Sequence, residues 1–133
     1  MTLRISLRDG EKVIVNGAVL RSVGRTDMRV ENGACVLRGR DVMAPEEANT
    51  PAKRLYFACM MAYIDSGDRA SHQDNIVDLV RALLAALHAP EAQAACVSFA
   101  QRVACGEYYA ALSDCRWLIG YEAELLAPAT AAA

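Results

Sequence analysis

Apolar and polar positions alternate with a period of two through the first forty residues, and beyond residue 50 they repeat at helical spacing. In "LRISLR", Leu3, Ile5 and Leu7 fall on one face of an extended chain, while Arg4, Ser6 and Arg8 fall on the other. Asp9–Gly10 breaks this run and "KVIV" resumes it. Asn16–Gly17 is a strong hairpin signal, and Asn32–Gly33 repeats it. Between them lie "AVLRSV" and "RTDMRV", separated around Gly24. The pattern predicts about five short antiparallel strands joined by tight turns. So small a sheet cannot bury both faces alone and must pair with helices or with a second copy of itself.

The period changes after "APEEANTP", a turn-rich acidic connector. Thr50 is placed to cap a helix with Pro51 at its first position, and "AKRLYFACMMAYID" continues it. "DSGDRAS" interrupts, and Ser71 with Asp74 has the form of a capping box for a second helix. There Ile76, Val80, Leu83 and Leu87 make an apolar stripe. Pro90 opens a third helix, with Cys96, Phe99 or Ala100, and Val103 aligned until Gly106. A last helix, "EYYAALSDCRWLIGYEAELL", sets Tyr108, Leu112, Cys115, Ile119 and Leu126 near one side. The expected fold is α+β: an antiparallel β domain over 1–43, a connector over 44–50, a bundle of about four helices over 51–126 and a disordered tail over 127–133.

Composition narrows the function classes. The chain has 133 residues, a formal net charge of −2 and 54% hydrophobic residues, which suits a folded domain with a genuine core. No apolar run approaches the ~20 residues of a membrane span, and the charged N-terminus lacks a signal-peptide core, so a cytoplasmic protein without membrane contact is expected. Five cysteines (Cys35, Cys59, Cys96, Cys105 and Cys115) include no C-x-x-C and sit among apolar neighbours, as buried thiols do. His72 and His88 lie far apart along the second helical segment and make no zinc pair. There is no phosphate loop, no G-x-S-x-G and no H-E-x-x-H, so neither an enzyme nor a cofactor is expected.

Charge is divided unevenly. Residues 1–40 carry eight basic and four acidic groups, whereas residues 41–133 carry six basic and twelve acidic groups. A polyanion therefore meets attraction at one end of the chain and repulsion at the other. In "ACVLRGR", alternation puts Val36 and Arg38 on one outer face, with Arg40 joining them if the strand persists. If the first and last strands lie side by side, Arg4, Ser6 and Arg8 merge with Arg38 and Arg40 into a patch able to contact phosphates and unpaired bases. An ordinary solvated strand face gives the same pattern. Tyr56, Phe57, Tyr63, Tyr108, Tyr109, Trp117 and Tyr121 all fall in the helical half, so the basic half lacks an aromatic stacking platform. Most are helix-packing residues, but Tyr108, Tyr109, Trp117 and Tyr121 give the last helix a face that could dock a partner.

Four blocks in order, "GEKVIVNGAV", "VLRGRDVM", "TPAKRLYFACMMAYID" and "EYYAALSDCRWLIGYEAELL", resemble the FlbT family of flagellar regulators over residues 2–126. Asp9 stands where that family usually has proline, and Gly39 where it usually has an acidic residue. The resemblance implies post-transcriptional control of flagellin, through the 5′ untranslated region of its messenger RNA and with a flagellin-level protein partner. The first 43 residues are also similar to the carbon storage regulator (CsrA) family of RNA-binding dimers, in which the first and last strands come from different chains. That similarity implies a homodimer and matches Ile5–Arg8 and Val36–Arg38 to the RNA-binding strands, with Arg38 at the key arginine and Leu7 where a second basic residue usually stands. The alternative is an adaptor or chaperone acting on flagellin or a second regulator without touching RNA.

Overall fold

The computed structural model describes residues 3–127. Five strands lead: β1 (Leu3–Leu7), β2 (Lys12–Val15), β3 (Ala18–Arg21), β4 (Thr26–Val30) and β5 (Val36–Arg38). Four helices follow: α1 (Pro51–Ile64), α2 (Arg69–Ala86), α3 (Pro90–Ala104) and α4 (Tyr108–Leu126). The α+β class read from the sequence is therefore observed. Of the expected tail, the part beyond Ala127 lies outside the described residues.

The strands form two small antiparallel sheets: β1 pairs with β4, and β2 lies between β3 and β5. The first Asn–Gly does make the expected hairpin. Asn16 and Gly17 have φ of 50° and 85°, both in the left-handed region that a two-residue turn between β2 and β3 demands. The second does not, because β5 leaves β4 and pairs with β2. The Asn16 side-chain oxygen accepts the Cys35 N–H at 2.9 Å, and the Asn16 N–H donates to the Cys35 carbonyl at 2.8 Å, so the first turn also anchors the entry to β5.

In the three-stranded sheet β2 and β5 are covered on both faces, whereas β3 is exposed along its length. Ile14 and its register partner Leu37 join the main core against the helices. Val13 and Val36 belong to a smaller cluster with Ile5 and Leu7 of β1. Val36 is thus only 8% exposed, and the expectation of an open outer face on β5 is wrong: that face is the seam between the sheets. The outer edge of β5 is closed as well. The Tyr63 hydroxyl accepts the Val36 N–H at 3.0 Å and donates to the Val36 carbonyl at 3.2 Å, standing in for a neighbouring strand. Immediately after β5, a Cβ on Gly39 would lie 2.9 Å from the Lys12 carbonyl oxygen, so a side chain there requires the two backbones to move apart.

The main core gathers Leu55 and Cys59 of α1, Ile76, Val80 and Leu83 of α2, Cys96 and Phe99 of α3, and Leu112, Cys115 and Leu118 of α4. Each large apolar side chain so buried contributes roughly 1.5–3 kcal/mol before entropy is charged against it. Thr50 caps α1 as expected, its Oγ1 accepting the Lys53 N–H at 3.3 Å. Ser71 does not cap α2; a short 3-10 turn over Ser66–Asp68 feeds the helix directly and leaves Ser71 inside it. On α4 the buried stripe shifts from the expected Ile119 and Leu126 to Leu118 and Glu122. The Glu122 carboxylate is 8% exposed and accepts the Ala52 N–H at 3.0 Å, at the start of α1. A second polar node joins the halves. Asp41 accepts from Arg116 Nη2 at 2.6 Å and from the Tyr109 hydroxyl at 3.4 Å, while its carbonyl accepts from the Tyr56 hydroxyl at 2.6 Å.

Candidate nucleic-acid interface

Arg38 is pulled inward by the seam between the sheets. Its Nη2 donates to the Ser6 carbonyl of β1 at 2.6 Å and meets Glu11 Oε2 at 3.3 Å, so one guanidinium ties β1, the β1–β2 turn and β5 together. Its Nε is buried without a hydrogen-bond partner. The Arg8 backbone N–H reaches Glu11 Oε1 at 3.0 Å; this bond, joined by the Arg38 guanidinium, holds the Glu11 carboxyl below its ordinary value of 4.5. Arg38 is therefore a strap first. β1 and β5 belong to different sheets and are not hydrogen-bonded neighbours, so the expected merging of two adjacent strands does not occur.

The arginines nevertheless converge, by another route. Two adjoining hollows open beside the strap. One, of about 480 Å³, is lined by Ser6, Arg8, Glu11, Arg25 and Arg38 among others; its neighbour is lined by Arg8, Glu11, Arg38 and Arg40. Arg8, Asp9, Glu11 and Arg38 line both hollows, with Arg25 added in the first and Arg40 in the second. Arg8, Arg25 and Arg40 are exposed, and their side chains make no hydrogen bond or ion pair among the described residues.

Register adds two contacts that reading single strands did not find. Arg4 lies directly opposite Arg29 across the β1–β4 ladder, and Lys12 lies directly opposite Arg21 across β2–β3. Like charges in directly opposed positions destabilise a sheet. All four side chains are exposed and lack an acidic partner among the described residues. Ser6 instead faces Asp27, donating to its carboxylate at 2.8 Å. The Lys12–Arg21 pair was legible: a two-residue turn at 16–17 fixes that register once it is counted outward. Arg25 and Arg29 gave no local signal, because β4 reaches β1 only through the tertiary fold.

The aromatic face divides. Tyr108 is buried, its hydroxyl bonded to Gln73 and its ring beneath the Arg69 guanidinium at 5.4 Å, so it cannot serve as a docking residue. Tyr109 is partly exposed and packs edge-on against Tyr63 at 5.7 Å. Trp117 is 44% exposed and stacks on Tyr121 with ring centroids 5.3 Å apart.

Among the described residues one cluster carries metal-ligand atoms: Asp65, Asp68 and His72 have theirs within 4.8 Å of one another at the α1–α2 corner. His72 Nε2 is bonded to Asp65 Oδ2 at 3.0 Å, a contact that closes the corner. Cys59, Cys96 and Cys115 are buried in the main core, and burial pushes the Cys59 thiol up to about 12. Cys105 is exposed and Cys35 half-buried. Among the described residues no helix is long and apolar enough to cross a membrane.

Comparison with known proteins gives a consistent answer along the whole chain. The family model for the flagellar protein FlbT matches residues 3–126. The chain is 35% identical over 127 residues to the probable flagellum biosynthesis repressor protein FlbT of a Caulobacter strain, covering 95% of this chain and 97% of that one. The flagellum biosynthesis repressor protein FlbT of Caulobacter vibrioides is also 35% identical over 127 residues, with 95% and 90% covered. A probable repressor of the same name from Bradyrhizobium diazoefficiens is 33% identical, with 94% and 85% covered. No solved structure matches the chain. With the family model spanning both the strands and the helices, the chain belongs to the FlbT family of flagellar proteins.

Proposed function

We propose that this protein is a cytoplasmic repressor of flagellum synthesis, and that it acts by holding the 5′ leader of flagellin messenger RNA against its β half. The names of its relatives support the first part: they are flagellum biosynthesis repressors. The observation that carries the second is the pair of unneutralised like-charge contacts, Arg4 opposite Arg29 and Lys12 opposite Arg21, beside hollows lined by Arg8, Arg25, Arg38 and Arg40. An anion bound across either pair relieves its repulsion. Guanidinium groups also suit phosphate and unpaired bases in a loop or single strand. The acidic helices repel the same RNA and confine it to the sheets. The mechanism is steric and recruiting, with no catalytic step.

The test is fluorescence anisotropy of a labelled flagellin leader RNA at two salt concentrations. Arg8→Glu with Arg40→Glu is the primary variant, because both side chains are exposed and hold nothing in the fold. Arg38→Glu is a second variant, checked for folding because that residue straps the sheets. Salt-sensitive binding lost in the double variant is expected. Binding that ignores both salt and charge reversal would sink the reading. The adaptor reading has one observation of its own, the exposed Trp117–Tyr121 stack, and the opposite signature: no binding of RNA alone.

A further inference from the structure

The face of α4 turned away from the core is not built like a solvent-facing surface. Beyond its first turn its exposed positions are Ser113, Arg116, Trp117, Gly120, Ala123, Glu124, Leu125 and Leu126, followed by Ala127. A helix packed on one side usually carries long polar residues on the other. Here small residues alternate with the chain's sole tryptophan, and only Arg116 and Glu124 are charged. Gly120 is the least explained by the monomer. A mid-helix glycine costs roughly 0.5–1 kcal/mol relative to alanine, yet a Cβ there would meet nothing within 4 Å. Nothing inside this chain requires the missing side chain.

A second copy does. We infer that α4 packs antiparallel against α4 of another molecule of this protein, across a two-fold axis through Gly120. Such an axis dictates its own pairings, because the same patch must complement itself. Arg116 falls opposite Glu124 of the partner subunit, and Glu124 opposite the partner's Arg116. Trp117 falls opposite the partner's Ala123, large against small, and Ser113 opposite the partner's Ala127. Gly120 meets its own copy, where the absence of a side chain allows the helix axes to approach. Arg116 has donors to spare: its contacts to Asp41 and to the Tyr56 hydroxyl both use Nη2. Glu124 has no ion-pair partner among the described residues. One helix pair covers less than the roughly 1,600 Å² of a standard interface, so the expected affinity is about micromolar. This dimer leaves β1 bound to β4 of its own chain.

Charge swapping tests the pairing with the full chain. Sedimentation velocity is run over a concentration series on the native sequence, on Arg116→Glu, on Glu124→Arg and on an equimolar mixture of the two variants. The native protein is expected to dimerise, each variant alone to weaken about tenfold or more, and the mixture to recover, since both of its cross-pairs are again opposite in charge. Dilution of the native dimer is also expected to shift Trp117 emission to the red as that ring returns to water. Arg116→Glu removes the Asp41 contact and is checked by circular dichroism; if it fails to fold, Gly120→Gln carries the test, since its side chain enters open space in the monomer and blocks close approach in the dimer. A native protein that remains monomeric at about a hundred times the expected dissociation constant overturns the inference and returns this face to a different protein. A dimer indifferent to Glu124→Arg and Gly120→Gln overturns it equally.

Discussion

Removing the Glu122 carboxylate should destabilise the protein by about 2–3 kcal/mol. The first turn of α1 leaves backbone donors that need partners. Pro51 has no N–H to satisfy. Lys53 donates to Thr50 Oγ1, and the Arg54 N–H to the Thr50 carbonyl. Ala52 is fully buried, and its N–H depends on Glu122 at 3.0 Å. A hydrogen bond to a charged group contributes roughly 1.5–3 kcal/mol, and a carboxylate at a partly buried helix N-terminus up to about 2 kcal/mol. These describe overlapping parts of one interaction and are not summed. Glu122→Ala also strands a buried donor, which puts it in the upper part of the range. Glu122→Gln keeps an acceptor oxygen and loses only the charge, so about 1 kcal/mol is expected. Urea unfolding followed by helical circular dichroism measures both. In thermal melts the alanine variant should fall by roughly 10 °C. An alanine variant within about 0.5 kcal/mol of the native protein, or a glutamine variant as damaged as the alanine one, would refute the assignment of the Glu122 carboxylate as the acceptor that satisfies the Ala52 N–H.

Three further outcomes follow from burial and charge. Phe99→Ala empties a fully buried site in the main core and should cost about 3–5 kcal/mol in the same urea experiment. With a chromogenic disulfide at pH 8, Cys105 should react quickly and Cys35 slowly, while Cys59, Cys96 and Cys115 wait for unfolding; rapid modification of all five in the native state would contradict their burial. Glu11 titrates below its ordinary 4.5, held down first by the Arg8 N–H and then by Arg38, so its stabilising contribution is present above 4.5 and is lost as pH falls through the lower folded value. Glu11→Gln should therefore flatten the decline of stability at pH below 4.5, and an unchanged acid limb would count against the pairing.

Local chemistry made much of this fold readable. Asn16–Gly17 forces positive φ at two consecutive residues, and Thr50–Pro51 supplies a cap and a preset φ, so both were legible without tertiary knowledge. Asn32–Gly33 carries the same dipeptide, but Val15 and Val36 offered a better-buried pairing than a second hairpin, and packing overrode the turn. Val36 misled because alternation predicts two faces, not what covers each of them. β5 is enclosed by helices through Leu37 and by β1 through Val36, and such a strand reads like a half-exposed one. Glu122 lay beyond reach for a related reason: an apolar stripe guides the eye to Ile119, whereas α4 turns its carboxylate inward to serve a helix end seventy residues away. At the candidate interface, a patch holding Arg8, Arg38 and Arg40 was read from the sequence, but by a pairing of β1 with β5 that does not form, and Arg25 and Arg29 were not read into it. Arg25 and Arg29 enter through β4–β1 pairing and through the hollow, both products of the tertiary fold.

Self-sufficiency of the basic half is the remaining physical question, and its own core answers it. Only Ile5, Leu7, Val13 and Val36 make the fully buried part of the seam between the sheets. Four such side chains make a small core, and sheets of two and three strands need packing against another element to be stable. Two opposed like-charge pairs add to that need. The helices supply what is missing. They take Ile14 and Leu37 into their own core, close the β5 edge with Tyr63 and hold the strand's exit at Asp41 with Arg116, Tyr56 and Tyr109. A sheet supported from behind can keep repelling charges on its open surface, where an isolated one would have to neutralise them. The acidic helices and the basic strands are therefore parts of one fold: the helical core carries the stability, and the strands can hold opposed cations on an exposed surface.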